Sequence, residues 1–168
     1  MPISIDELRR KSAEVDHYSM STLRKSASAL VENRSTTTRV QAFLCHAHAD
    51  QDLVVGLQRI LAEHGLDLYI DWQDSAMPAS PNRETANRIK EKIRRLPKFL
   101  FLATENSTRS RWCPWEIGFA DGVKPLESIL IIPTKDRSGN HYGNEYLQLY
   151  RYLDYAGNYD LRSFGPKS

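Results

Sequence analysis

The sequence has few cysteines, no long apolar run and almost no net charge, and each shortage excludes a class of protein. Two cysteines in 168 residues, Cys45 and Cys113, are too few for a disulfide scaffold. A reducing compartment is the simplest expectation, although the sequence leaves a bridge between the two open. No stretch approaches the roughly 20 apolar residues that a membrane helix needs. Residues 1–10 carry Asp6 and Glu7 in place of an apolar signal core, so a cytoplasmic location without membrane contact is expected. A formal net charge of +2 gives no reason to expect nucleic acid as a partner. Hydrophobic residues at 40% and charged residues at 26% describe a globular chain long enough for one full core. One local imbalance stands out. Between Arg83 and Lys98, seven basic residues accompany two acidic ones, which makes either a solvated helix face or a surface that attracts an anion or an acidic partner.

Two regimes divide the chain. Residues 1–38 are rich in Ser, Lys, Arg and Glu with sparse apolar positions, the pattern of one or two weak amphipathic helices ending in a Ser-Thr-Thr-Thr linker. They are expected to be an extension dispensable for folding, with residues 39–168 as the domain proper. From Arg39, strand and helix patterns alternate. Residues 40–45, 66–70, 99–103 and 128–132 are short apolar strands, the third apolar on both faces and therefore central. Helices are expected after Asp50 or Asp52 up to Gly65, from residue 83 to Pro97, and over residues 112–120 with a stop at Gly122. Pro133 is expected to close the fourth strand, and Asp50 to cap the first helix. A tyrosine-rich stretch, residues 146–155, fits a strand or a helix equally. The order predicts an α/β fold: a flavodoxin-like, doubly wound parallel sheet with helices on both faces. Ligands of such sheets lie beyond the carboxyl ends of the strands, so the loops after Cys45, Ile70, Ala103 and Ile132 are where chemistry is expected.

Familiar versions of this topology leave marks that are missing here. A dinucleotide fingerprint needs glycines after the first strand, where this chain has His46-Ala47-His48-Ala49-Asp50. A glycine-rich phosphate loop is absent too, and the third strand ends in Ala103-Thr104-Glu105 rather than in a phosphorylatable Asp. What is present resembles the Toll/interleukin-1 receptor (TIR) domain over residues 39–133. Phe43-Leu44-Cys45 followed by Asp50 is similar to the family's first box, with Cys45 where Ser is usual. Leu68-Tyr69-Ile70-Asp71 resembles the strand before the family's long variable loop. Ser110-Arg111-Trp112-Cys113-Pro114-Trp115-Glu116 looks like the most specific box, and contains the Trp-x-x-x-Glu of the enzymatic members. The arrangement most resembles bacterial TIR proteins, many of which act in antiphage defence.

The resemblance implies an enzyme that cleaves NAD, releasing nicotinamide and forming ADP-ribose or a cyclic isomer, with NAD as substrate and no cofactor. It implies self-association through TIR contacts and a downstream effector that senses the product. The alternatives are a non-enzymatic adaptor, or a nucleotide-processing hydrolase of the same fold. Glu116 is the implied catalytic residue. Breaking the N-glycosidic bond leaves positive charge on the ribose, which a fixed carboxylate stabilises, and nicotinamide departs without needing a general acid. Pro114 places Glu116 in a first helical turn, where an ionised carboxylate is favoured; the competing role there is helix capping. Trp112 is expected to stack on a base, and Phe43, Cys45, His46 and Trp72 to line the substrate pocket. His46 and His48 have the spacing of half a metal site but no accompanying cluster, so no metal is expected.

Overall fold

The computed structural model describes residues 2–14, 21–22 and 39–153. The chain runs through strand β1 (Ile3–Ser4), helix α1 (Ile5–Ala13), β2 (Val40–Cys45), α2 (Gln51–Glu63), β3 (Leu66–Tyr69), α3 (Arg83–Arg95), β4 (Lys98–Ala103), α4 (Glu105–Arg109), α5 (Cys113–Val123), β5 (Ile129–Lys135), β6 (His141–Tyr142) and β7 (Arg151–Tyr152). The strands β1, β5, β4, β2 and β3 lie side by side in that order, all parallel. The doubly wound α/β sheet expected from the alternation is what forms. β4 sits in the middle, and its residues Phe99 to Ala103 are all buried.

Each helix boundary has a local cause. Gly65 ends α2 with a φ of +84°, a conformation that only glycine adopts without strain. Asn82 caps α3 by accepting the backbone N–H groups of Glu84 and Thr85, while Thr85 returns a bond to the Asn82 backbone. Two apolar layers result. One face of the sheet buries Leu53, Leu57 and Leu61 of α2 with Leu8 of α1. The other buries Ile89 and Ile93 of α3 with Cys113, Ile117 and Ala120 of α5.

The structure differs from the sequence reading in three places. Pro133 does not close its strand: β5 continues to Lys135. Up to Pro133 it pairs with β4. Beyond it, Thr134 and Lys135 pair with β1 on one side and antiparallel with β6 on the other. A strand that changes neighbours tolerates the missing N–H of proline at the changeover, and the Thr134 hydroxyl donates to the Ala103 carbonyl (2.6 Å) there. The tyrosine-rich stretch is neither one strand nor one helix as far as it is described, but a 3-10 turn (Glu145–Leu149) followed by β7 on β5. The third difference concerns the N-terminus. Residues 2–14 are built into the core rather than appended to it, with Ile3 and Leu8 fully buried. Sparse apolar spacing in α1 reflects a short helix that needs only one deep anchor, because its backbone lies directly on Gly56 of α2. The expected second helix and the linker fall outside the described residues, except for residues 21–22.

Candidate active site

The start of α5 is set by three residues that the motif brings together. The Ser110 hydroxyl oxygen accepts the backbone N–H groups of Trp112 and Cys113, both at 3.2 Å, and so satisfies donors that the helix leaves open. Pro114 occupies the first turn, where its missing N–H costs nothing. Glu116 completes that turn. Trp112, at the cap position, makes no side-chain cap bond; the capping alternative considered for Glu116 is thus filled by Ser110.

Glu116 is 5% exposed and shares its pocket with Cys45 at the end of β2. Burial pushes its carboxyl well above the ordinary carboxylate range. The neighbouring Cys113 and Asp71 push it further, and a hydrogen bond from Cys45 opposes them. Desolvation here works against the ionised form that the helix end was expected to favour. The two cysteines are free, and burial likewise pushes the Cys45 thiol up. Cys113, beside the Cys45 thiol, is held below its usual value. Cys45 Sγ also stands 3.9 Å from the Cys113 carbonyl oxygen.

The first loop folds over this centre. His46 places Nδ1 3.2 Å from the Leu44 carbonyl and Nε2 3.6 Å from Asp71 Oδ1. His48 is exposed and faces Gln51, so the two histidines do not converge. Asp50 stands at the start of α2, yet its side chain makes no cap bond there. Its carboxylate instead accepts the hydroxyl of Thr104 (2.5 Å) and the amide of Asn106 (2.6 Å), tying the first loop to the loop after β4. The expectation of a helix cap is corrected to that of a cross-loop clasp, which short-range spacing cannot reveal. The variable loop is anchored similarly, by Tyr69 donating to the buried Asp74 (2.7 Å).

The remaining candidates separate. Phe43 is 1% exposed and stacked between Tyr69 and Phe99 at 5.6 Å, so it sits in the core. Trp72 packs against the α1–α2 layer, with its indole N–H buried and unpartnered, and this places it in the apolar layer opposite the one that contains Cys113. Cys45 is fully buried and reaches the site through Glu116 rather than through open space. Trp112 is half-buried, edge-on to Trp115 at 5.3 Å. Trp115 stacks on Phe119, and Lys90 and Arg94 of α3 lie over these rings. Much of the basic excess on α3 is used locally in this way, or in the pairs Arg88–Glu84 and Arg95–Glu91. The sequence reading missed Asp71 and Ser110 as site residues. Ser110 was legible as the first letter of the motif; Asp71 is brought in only by the adjacency of β2 and β3.

Comparison with known proteins gives two results. The family model of the TIR domain matches residues 42–165. A protein of Bacillus cereus (strain MSX-D12) described as a probable 3' cyclic ADP-D-ribose synthase, ThsB', is 34% identical over 113 residues, covering 66% of this chain. The aligned part spans 58% of that relative's length.

Proposed function

This chain belongs to the TIR-domain family, and on that premise we propose that it cleaves the bond between nicotinamide and ribose in NAD, with Glu116 as the catalytic residue. The observation that carries the reading is a carboxyl buried in the first turn of α5, beside the carboxyl end of β2, where a parallel sheet binds its ligand. An adaptor that only binds other TIR domains has no use for a carboxyl kept from water at this cost. The similarity to a cyclic ADP-ribose synthase supports the same chemistry.

Burial raises the carboxyl's pKa well above the ordinary carboxylate range. The positive charge of a nicotinamide ring entering beside it favours ionisation. When the glycosidic bond breaks, its electron pair leaves with the ring nitrogen and the ribose becomes cationic; the carboxylate stabilises that charge. The acceptor, either water or a hydroxyl of the same ADP-ribose, then bonds to the anomeric carbon and gives up its proton. A carboxylate with a raised pKa is well matched to taking it near neutrality. The products are nicotinamide with ADP-ribose or a cyclic isomer. The Trp112 ring, one turn before Glu116, is assigned to stacking on a base. In this reading the protein acts in the cytoplasm of a bacterial cell as a self-associating defence enzyme whose product signals to an effector or whose activity depletes NAD.

The test is nicotinamide release from NAD by the purified full chain, followed by chromatography at several protein concentrations so that self-association is sampled. Glu116→Gln is expected to lower the rate at least about a hundredfold, the loss of roughly 3 kcal/mol of transition-state stabilisation. A folded Glu116→Gln protein with undiminished release would falsify the assignment.

A further inference from the structure

The excursion between β5 and β7 forms a cavity at the rim of the sheet. β6 runs back to the end of β4, since Ala103 pairs with Pro133 and Tyr142 with Thr134, and Gly143 stands against Ala103. Residues 141–147 therefore stand over the carboxyl end of the central strand, the position at which doubly wound sheets take ligands. Between them and the start of α5 is a cavity of about 320 Å³, bounded by Phe101, Thr108, Pro114, Asn144, Tyr146 and Leu147 among others. That is within the range of small-molecule sites. Pro114 is two residues from Glu116, so the cavity opens on the opposite flank of the turn that holds the carboxyl.

The loop is held in a fixed and costly shape. Gly143 has a φ of +119°, and Glu145, which is not glycine, has a φ of +58°. A non-glycine residue in the left-handed region is strained, and such strain concentrates at ligand sites. The Tyr152 hydroxyl donates to the Gly143 carbonyl (3.0 Å), and the Tyr142 hydroxyl donates to Asp136 (3.0 Å). Two groups are left without such duties. Tyr146 is 40% exposed, and its phenol is pushed up by burial and by the nearby Cys45 and Cys113. The Asn144 amide reaches only the His141 carbonyl, at 3.4 Å, which leaves its oxygen able to accept among the described residues.

We propose that this cavity seats the adenine ring of the dinucleotide, with Tyr146 as the stacking surface and the Asn144 carboxamide as partner of the exocyclic amine, which leaves the Trp112 ring to the nicotinamide end. An aromatic plane beside an amide that can both donate and accept suits a neutral heteroaromatic ring carrying an amino group. Closing a ring within ADP-ribose requires its adenosine end to return to the anomeric carbon, and a purine seat on the other flank of the Glu116 turn holds it there. The proposal rests on the NAD reading for its ligand, but its test does not require turnover.

AMP is titrated into the full chain by calorimetry, for the wild type, Tyr146→Ala, Tyr146→Phe and Asn144→Ala, each checked for an unchanged melting curve. The wild type and Tyr146→Phe are expected to bind alike, Tyr146→Ala about tenfold more weakly, and Asn144→Ala severalfold more weakly. Wild-type protein that does not bind AMP, or Tyr146→Ala that binds as the wild type does, overturns the proposal. So does Tyr146→Phe weakened as much as Tyr146→Ala, which assigns the effect to the hydroxyl. If Tyr146→Ala fails to fold, Asn144→Ala decides alone by the same criterion. Absence of AMP binding alongside intact NAD cleavage rejects this seat only; AMP binding without NAD cleavage rejects the enzymatic reading and keeps the seat.

Discussion

Glu116 is a carboxyl kept from water, and that condition should be visible in stability as well as in rate. Its folded pKa lies above the ordinary value of 4.5, so between those two values the folded protein binds more protons than the unfolded chain. Stability contributed by the protonated form is complete below about pH 4.5 and is lost as pH rises through the folded pKa. Glu116→Gln keeps the shape and removes the titration. It is expected to melt higher than the wild type, by a margin that is small at pH 5 and grows toward pH 8; equal margins at both pH values would show that the carboxyl is not buried as described. Cys45 acts on the same group, since its thiol's hydrogen bond favours the ionised carboxylate. Cys45→Ala should move the rising limb of the pH–rate profile to higher pH, while Cys45→Ser, which restores a donor, should leave it near the wild-type position. A profile unmoved in the alanine variant would remove Cys45 from the site's electrostatics.

The α1–α2 contact shows how an element can depend on one missing atom. A Cβ on Gly56 would lie 2.0 Å from the Leu8 carbonyl oxygen, a backbone atom that cannot swing aside. Alanine gains roughly 1 kcal/mol of helix propensity over glycine, but a contact this close forces α1 to shift, and overpacking costs about 1–3 kcal/mol. Gly56→Ala is therefore expected to lower the melting temperature by several degrees; a protein unchanged or stabilised would mean that α1 is not seated on α2. The helices and strands after Arg39 announced themselves by apolar periodicity and by Gly65 and Pro97, because those signals are local. The Ser110–Glu116 turn was legible as a motif with a physical reason. Asp50 was misread because its partners, Thr104 and Asn106, lie more than fifty residues away. Which layer Trp72 joins was not legible, because the side of the sheet to which a residue near a strand end contributes depends on neighbours that single-sequence patterns do not name. The environment of Glu116 was only half legible: the helix end is written in the sequence, while the depth of burial is a property of the packed layers.

At the scale of the whole molecule, the N-terminus closes the sheet that the rest of the chain leaves open. β5 presents Thr134 and Lys135 beyond the reach of β4, and β1 covers them through the pairs Ile3–Thr134 and Ser4–Lys135. An uncovered strand edge of this kind invites pairing with other chains. α1 then lays Leu8 into the apolar layer beside Leu57 and Leu61, and its rim is joined to α2 by Arg9–Asp52 and Arg59–Glu14. Pairs so open to solvent on at least one side add little; burial of Ile3 and Leu8, about 1.5–3 kcal/mol for each side chain, dominates. A chain lacking residues 1–14 is therefore expected to lose several kcal/mol, to melt at least about 10 °C lower, and to self-associate through the bared edge of β5. Glu116 lies in the other apolar layer, so molecules that remain folded at low temperature should keep their nicotinamide release per folded chain. Melting curves, mass in solution and cleavage rate measured on the truncated protein separate these effects. A truncated chain that stays monomeric and melts with the full-length protein would show that residues 2–14 add nothing to the core and would restore the reading of a dispensable extension.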